Sequence, residues 1–278
     1  MLTNKHFRAV LFDAAPKNTL LLSIGGRETF LVSSQDKSIG REVFITTEFE
    51  FDNLVKALNL IGGKFHRQML IDVGANIGSI SIPAIKRNMF ENAIAIEPDP
   101  FNYSLLVSNI HINGLADKIT THNLALGARE EDLVLVLSDT NYGHHHIKIS
   151  DAKSSYDAAF KKSIVVKSGT FDGIVGAIDP ACTLIWMDTE GYEGKILEGA
   201  AKALENNPPL VLEFVPYGMA LSGSFSSLKQ AILGAGYTRF YDLSLDMSPT
   251  PVSTESLDEL YHKFKSDIDY GADLLILS

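Results

Sequence analysis

The sequence predicts an α/β protein built around one doubly wound, mostly parallel sheet. From residue 68 onward, short apolar runs of strand length alternate with segments of helical pattern. Acidic residues stand at the ends of several of these runs, where open α/β sheets place their ligands. The chain has 278 residues and is 45% hydrophobic, which is enough to bury a sizeable core.

Strands and helices alternate from residue 68 onward. The predicted sheet strands are 69–73, 93–97, 119–126, 184–187 and 210–214, completed by an antiparallel pair at 240–243 and 273–277. Two further strands, 133–137 and 163–167, flank a polar excursion at 139–162. The predicted helices are 78–88, a helix capped by Asp99 and closed at Asn113, then 193–205 and 226–233.

We expect two parts in the chain. Residues 1–66 form a β-rich extension, which packs on a core domain of residues 67–278. A hairpin is expected from strands 20–24 and 28–32, joined by two glycines that accept positive φ. Thr47 and Glu50 have the spacing of a capping box, so a helix is expected to start after Thr47 and to end at Gly62.

Composition narrows the partners and the compartment. The formal charge of −10 argues against nucleic acid, because phosphate binding needs a basic face. The single cysteine, Cys182, allows no internal disulfide and fits a reducing cytoplasm. No signal-peptide pattern and no apolar run of membrane-spanning length is present, so we expect a cytoplasmic protein without membrane contact. The oligomeric state is left open.

A glycine turn joins the first sheet strand to the next helix. Residues 72–78 read DVGANIG, and a strand, a glycine turn and a helix in that order form a nucleotide-facing site. Starting from Gly74, the dinucleotide register requires glycine where this chain has Asn76 and Ser79. NAD and FAD are therefore disfavoured. S-adenosylmethionine has no pyrophosphate, and Asp72 could accept a hydrogen bond from its ammonium group.

Acidic residues follow two other strands. Glu97 ends its strand about 20 residues beyond the loop, the distance at which an acidic residue binds ribose hydroxyls. Asp188 ends a buried strand, and Glu190 and Glu193 follow on a glycine-bearing turn. One such carboxylate is usually a helix cap. Three within six positions beside a strand end favour a functional site.

Together these residues resemble the FkbM family of class I S-adenosylmethionine-dependent methyltransferases, over about residues 68–216. The segments that carry the resemblance are IDVGANIG (71–78), IEPDP (96–100), NLALG (123–127), DTEGYE (188–193) and Glu213. The resemblance implies a Rossmann-like sheet with an antiparallel last strand. One family element, at residues 170–173, is not matched well, because Gly173 stands where a second acidic residue is common. We leave this element out of the site.

The resemblance also implies roles for individual residues. The cofactor contacts that it implies are Asp72, Gly74, Asn76, Gly78, Glu97, Asn123, Ala125 and Asp188. Of these, Glu97 is expected at the ribose, Asn123 and Ala125 near the adenine, and Asp188 at the reacting methyl. Asp188 and Glu190 are the candidate catalytic residues, and Glu213 is a candidate substrate contact.

Three consecutive histidines, residues 144–146, lie in the polar excursion. Histidine titrates near neutrality, so His144 and His145 are candidates for substrate contact or for the general base. A plain polar loop is the alternative. If the run is a strand, neighbouring side chains point to opposite faces, which is poor geometry for a three-ligand metal site. No metal is predicted.

We therefore expect an S-adenosylmethionine-dependent methyltransferase that acts on a hydroxyl of a sugar or small secondary metabolite. Methyl transfer to oxygen is an in-line displacement, so the protein mainly aligns the reactants and supplies a base. Two alternatives stay open at this stage, a nicotinamide-dependent oxidoreductase and a non-catalytic nucleotide-binding protein of the same fold.

Overall fold

A computed structural model describes residues 4–49, 51–148, 162–245 and 248–278. Its strands are β1 (Leu20–Ser23), β2 (Phe30–Ser33), β3 (Met69–Val73), β4 (Asn92–Ile96), β5 (Ile119–His122), β6 (Ala125–Leu126), β7 (Asp132–Leu137), β8 (His146–Lys148), β9 (Lys162–Gly169), β10 (Thr183–Met187), β11 (Leu210–Phe214), β12 (Arg239–Asp242), β13 (Thr250–Pro251) and β14 (Ala272–Leu277). Its α-helices are α1 (Lys5–Ala14), α2 (Ile39–Thr46), α3 (Phe51–Ile61), α4 (Ser81–Lys86), α5 (Pro100–Ile112), α6 (Phe171–Val175), α7 (Glu193–Glu198), α8 (Pro216–Ser222), α9 (Phe225–Ala235) and α10 (Thr254–Phe264).

The central sheet has eight strands in the order β13-β12-β14-β11-β10-β3-β4-β5. The five strands from β11 to β5 are parallel, and β14, β12 and β13 are antiparallel to their neighbours, which confirms the predicted sheet and its antiparallel end. The chain order reverses between β3 and β10. The carboxyl ends of these two strands form the switch point at which doubly wound sheets bind ligands.

Both faces of the sheet are covered, as the nearly continuous apolar strands require. Along β10, Leu184 and Trp186 pack into one buried cluster, and Ile185 and Met187 pack into the other on the opposite face. The lone tryptophan is 3% exposed and belongs to the core, as its apolar surroundings predict. Among the described residues, no helix has the length and apolar character needed to cross a membrane.

The N-terminal extension contains the predicted hairpin, with Leu20 opposite Ser33. It also contains α1 and α2, which the sequence analysis does not predict, so it is less β-rich than expected. The capping-box prediction is wrong for Thr47: this residue ends α2 in a left-handed conformation, and its N–H donates to the carbonyl of Val43. Glu50 lies outside the described residues. α3 forms close to the expected place.

A second sheet, in the order β6-β9-β7-β8, carries the strands predicted around the polar excursion. The single strand expected at 119–126 is wrong, because Asn123 turns the chain and separates β5 from β6. Its amide donates to the carbonyl oxygens of Glu97 and Pro98. The helix expected at 193–205 ends at Glu198. Gly199 follows, where a Cβ would lie 2.3 Å from the carbonyl oxygen of Gly127. Residues 149–161 of the excursion lie outside the described part of the chain.

Candidate active site

The glycine loop lies at the switch point, directly against the end of β10. Gly74 has a φ of +87°, and a Cβ at this position would lie 1.8 Å from the carbonyl oxygen of Asp188. Only glycine allows both this φ and this approach of two backbones. The N–H groups of Gly74 and Ala75 donate to the carbonyl of Ile96, which ties the loop to β4. Gly78 also has positive φ and returns the chain toward α4.

Asp72 lies beneath this loop. It is 2% exposed, and its carboxylate accepts the backbone N–H of Ser81 at 3.1 Å, so it holds the first turn of α4. Burial raises the pKa of Asp72 to about 7. The side chain does not belong to the cavity lining described below. Contact between Asp72 and the cofactor stays a prediction.

Glu97 follows β4 and faces the same space as the loop. Its two oxygens accept the N–H groups of Asn76 and Asp99, both at 2.8 Å. Glu97 is 4% exposed, and burial raises the pKa of its carboxyl group to about 8. Because the carboxyl oxygens have lone pairs beyond those two bonds, the group can still accept a hydrogen bond from a ribose hydroxyl.

A cavity with about 630 Å³ of open space lies over the loop; we call it the donor cavity. Its polar and loop lining includes Gly74, Asn76, Glu97, Ala125, His145 and Asp188. Asn76 is 7% exposed, and its Oδ1 atom has no hydrogen-bond partner. An unpaired buried acceptor beside Glu97 suits a ligand that carries hydroxyl or ammonium donors. Asn123 is not part of this lining and instead supports the turn after Glu97.

Three carboxyl groups meet beside the donor cavity. One oxygen from each of Asp188, Glu190 and Glu213 lies within 4.8 Å of the others. A hydrogen bond between the carboxyl groups of Asp188 and Glu213 would require one of them to hold a proton. Burial raises the pKa of Asp188 to about 7, and burial and the neighbouring carboxylates raise that of Glu213 well above its ordinary value. A cluster of this size could also accept a divalent cation, so the expectation of no metal stays a prediction.

A second cavity, with about 1,020 Å³ of open space, begins at this cluster. We call it the acceptor cavity. Its lining includes Asn53, His144, Glu190, Glu213, Tyr217, Tyr270 and Asp273. Asp188 thus lines the donor cavity while Glu190 and Glu213 line the acceptor cavity. The described lining of the acceptor cavity is acidic: it has four carboxyl groups and one histidine, and neither lysine nor arginine.

Glu193, the third carboxylate of the sequence motif, has a different place. It is fully buried, and its Oε1 atom accepts the N–H and hydroxyl of Thr189 at 2.9 and 2.8 Å. It therefore fixes the turn that carries Glu190, whose φ is +56°. Asp172, at the poorly matched family element, caps the backbone N–H groups of Lys202 and Ala203. Both are structural roles.

The three histidines do not lie together in one strand, because only His146 belongs to β8. A short 3₁₀ turn spans Tyr142–His144, and it directs the side chains of His144 and His145 to different cavities. His144 Nε2 lies 3.8 Å from Glu190 Oε1 and is half exposed. His145 Nδ1 accepts the N–H of Ser138 at 3.0 Å, and burial lowers its pKa to about 4. His145 is therefore neutral near pH 7, with its proton on Nε2. Substrate contact by either histidine stays a prediction.

Some residues at the site are not predicted from the sequence. Tyr142 and Ile39 line the donor cavity, and Asp36 holds the backbone of Tyr142. The polar run before Ile39, followed by apolar residues at helical spacing, is the signal that could have identified α2. The approach of α2 to residue 142 is a long-range contact, and no local pattern encodes it.

The sheet order, the glycine loop and the acidic strand ends are typical of a doubly wound fold that binds its ligand at the switch point. A family model described as "Methyltransferase FkbM domain" matches residues 72–238. The chain belongs to this family, as the sequence analysis predicts. This membership gives no support to the nicotinamide alternative.

Solved structures and one curated protein are similar to parts of the chain. An FkbM methyltransferase from Methylobacillus flagellatus KT is 20% identical, with 85% of this chain and 52% of that chain covered and a TM-score of 0.47. M. jannaschii TYW2 in complex with AdoMet is 12% identical, with 94% and 86% covered and a TM-score of 0.43. The curated tRNA(Phe) (4-demethylwyosine(37)-C(7)) aminocarboxypropyltransferase of Pyrococcus horikoshii is 35% identical over 57 residues, 20% of each protein. The chain thus spans about a fifth of this curated relative and about half of the M. flagellatus chain.

Proposed function

We propose that this protein transfers the methyl group of S-adenosylmethionine to a hydroxyl oxygen of a sugar or small secondary metabolite. The observation that carries the proposal is the position of the carboxyl cluster. Asp188 lines the donor cavity, and Glu190 and Glu213, within 4.8 Å of it, line the acceptor cavity. A hydroxyl placed between the cavities would meet both the methyl donor and a base.

The donor cavity fits the cofactor chemically. Gly74 exposes bare backbone, Glu97 supplies a carboxylate for ribose hydroxyls, and the unpaired Oδ1 of Asn76 supplies a further acceptor. Gly78 shapes the same loop, and Ala125 lines the end of the cavity expected to hold the adenine. When bound, S-adenosylmethionine supplies a methyl group on a positively charged sulfur that departs as a neutral thioether.

Asp188 is the general base in this proposal. An alcohol is a weak nucleophile until its proton leaves, and a base works best when its pKa lies near the operating pH. The pKa of Asp188, raised by burial to about 7, meets that condition. A hydrogen bond from protonated Glu213, whose carboxyl oxygen lies within 4.8 Å, would stabilise the ionised carboxylate. Asp188 takes the proton of the hydroxyl, and the oxygen then forms the bond to the methyl carbon.

Glu190 and His144 would orient the acceptor. Carboxylates accept hydrogen bonds from neighbouring hydroxyls of a polyol, whereas they repel phosphate and carboxylate groups. Because the described lining of the acceptor cavity has no lysine or arginine, we expect neutral polyhydroxylated acceptors to be preferred to phosphorylated or carboxylated ones.

A radiolabelled methyl-transfer screen tests the proposal. Neutral sugars, polyols and hydroxylated metabolites would be compared with their phosphorylated and carboxylated counterparts, with the wild-type chain, Asp188→Asn and, as a control, the exposed Asp117→Asn. We expect label in a hydroxyl group of a neutral acceptor and a loss of kcat of about 100-fold for Asp188→Asn only. Label on nitrogen or carbon, or full turnover by Asp188→Asn, would overturn the assignment.

A further inference from the structure

A short turn forms one wall of the donor cavity. Residues 141–145, which we call the cap turn, follow β7 and precede β8. Tyr142, Gly143 and His145 of this turn line the cavity, as do Gly74 and Asn76 of the glycine loop. The cap turn is therefore part of any pocket that encloses the cofactor.

Two buried asparagines of the core hold the cap turn from one side. Asn76 Nδ2 in the glycine loop and Asn102 Nδ2 in α5 both donate to the carbonyl of Tyr142, at 3.1 and 3.2 Å. The two side chains are 7% and 1% exposed, and the Oδ1 atom of each has no hydrogen-bond partner. The cap turn and the cofactor loop are thus bonded directly to each other.

The N-terminal extension holds the cap turn from the other side. Asp36, 2% exposed, accepts the N–H groups of Ser38, Gly40 and Tyr142 at 3.1, 2.6 and 3.3 Å. The N–H of Lys37 donates to the carbonyl of Thr140 at 2.6 Å. One carboxylate therefore joins the first turn of α2 to the backbone of the cap turn.

The first residue of α2, Ile39, reaches the donor cavity itself. Ile39 lines the donor cavity, and a Cβ on Gly143 would lie 2.8 Å from Ile39 Cδ1. A shift of α2 would consequently move the cap turn with it. Asp36 and Ile39 both precede the residues matched by the family model, 72–238.

We propose that Asp36 is a positioning residue for the methyl donor: it fixes the cap turn where Tyr142 bonds to Asn76 of the glycine loop. Asp36 does not line the cavity, so it acts through the backbone of residue 142. The N-terminal extension is accordingly a wall of the cofactor site, and its contribution to binding passes through one buried carboxylate.

The test measures binding of S-adenosylhomocysteine to the full chain by calorimetry, so it needs no acceptor. In Asp36→Asn, an NH₂ group replaces one of the two acceptor oxygens and faces N–H donors. We expect the Kd to rise about tenfold, the effect of one lost charge-assisted hydrogen bond. Asp13→Asn is the matched control, because Asp13 pairs with Arg41 at the surface of the same extension. Its Kd is expected to equal that of the wild type.

Asn102→Ala gives a second route if Asp36→Asn folds poorly. It removes the opposite support of Tyr142 and also lies outside the cavity lining. The Kd should again rise, and the double variant should lose less than the sum of the two single losses, because both act on one turn. Hydrogen exchange supplies the readout specific to positioning: the ligand should protect amides 140–147 in the wild type and much less in Asp36→Asn.

The outcomes separate this proposal from the proposed function. A folded Asp36→Asn that binds with wild-type affinity, or that keeps ligand protection of amides 140–147, would overturn the role of Asp36. An equal loss in Asp13→Asn would do the same. If the wild type does not bind the ligand at all, both proposals fall. If it binds but methylates no hydroxyl, only the proposed function falls.

Discussion

Asp188 follows β10, Glu213 lies one residue before the end of the neighbouring parallel strand β11, and oxygens of their carboxyl groups lie within 4.8 Å of each other. We expect the two carboxyl groups to share a proton through a hydrogen bond. One partner of such a pair must be protonated. The bond from Glu213 favours the ionised form of Asp188, so it opposes the rise in the pKa of Asp188 that burial causes. The pair therefore provides an ionisable base close to neutral pH, stabilised by a neutral acid.

This pair predicts the pH dependence of the reaction. Because the base acts when ionised and its pKa lies at about 7, kcat/KM should increase as pH rises toward 7 and level off above it. Glu213→Leu removes the hydrogen bond to ionised Asp188, so the acid limb should move to higher pH. Glu213→Gln keeps an N–H donor and should leave the limb nearly in place.

Initial rates between pH 5.5 and 9 for the wild type and both variants check this prediction. A limb that moves to lower pH in Glu213→Leu would contradict it. An equal upward shift in both variants would show that the effect is not due to the hydrogen bond.

Glu97 is predicted to dominate binding of the ribose. Glu97→Ala removes the acceptor for ribose hydroxyls and also the partner of the Asn76 N–H. We expect the affinity for S-adenosylhomocysteine, measured by calorimetry, to fall about 100-fold. Glu131→Ala, at an ion pair with Arg129 outside the lining of the donor cavity, is the control and should bind normally. Unchanged affinity of Glu97→Ala would remove the ribose role.

The parallel strands and the site at their ends were predictable from the sequence because both depend on local patterns. The five-residue strands β3, β10 and β11 each contain four apolar residues. The carboxyl ends of parallel strands share one edge of a sheet, so acidic residues near those ends lie close together. Asp188, Glu190 and Glu213 do so.

The missed elements have weaker local signals or depend on distant partners. α10 begins with a capping box in which Ser256 takes the place usually held by Glu or Gln. Thr47 has the sequence of a helix start but ends α2, because residues 39–46 pack as a helix against α1 and the hairpin. The strand expected through Asn123 breaks because its amide bonds to the turn after β4. Tertiary contacts decide these cases.

Gly74→Ala should show that the approach of two backbones requires glycine. The added methyl group would meet the carbonyl of Asp188, and φ is +87°. We expect a loss of unfolding free energy of about 3–5 kcal/mol together with loss of cofactor binding. Gly114→Ala is the matched control, since its φ is +71° and nothing lies within 4 Å of its Cβ position. Gly114→Ala should lower the unfolding free energy by about 1–2 kcal/mol and leave cofactor binding unchanged. Urea unfolding and calorimetry measure both quantities, and equal losses in the two variants would refute the contact argument.

Asp72 is predicted to reduce stability at alkaline pH. Burial raises its pKa in the folded chain to about 7, from an ordinary value of 3.8. The folded state therefore holds the proton to higher pH than the unfolded state does. The contribution of this group to stability falls as pH rises between those two values and stays reduced above 7.

Asp72→Asn removes the charge, and its amide oxygen can still accept the N–H of Ser81. The change in unfolding free energy on substitution should be more favourable at pH 8 than at pH 5, by about 2.5 kcal/mol. Urea unfolding at the two pH values measures this difference, with Asp117→Asn as the exposed control that should show none. An equal change at both pH values would mean that Asp72 does not carry its proton above its ordinary range, and the buried carboxyl beneath the loop would then be ionised throughout.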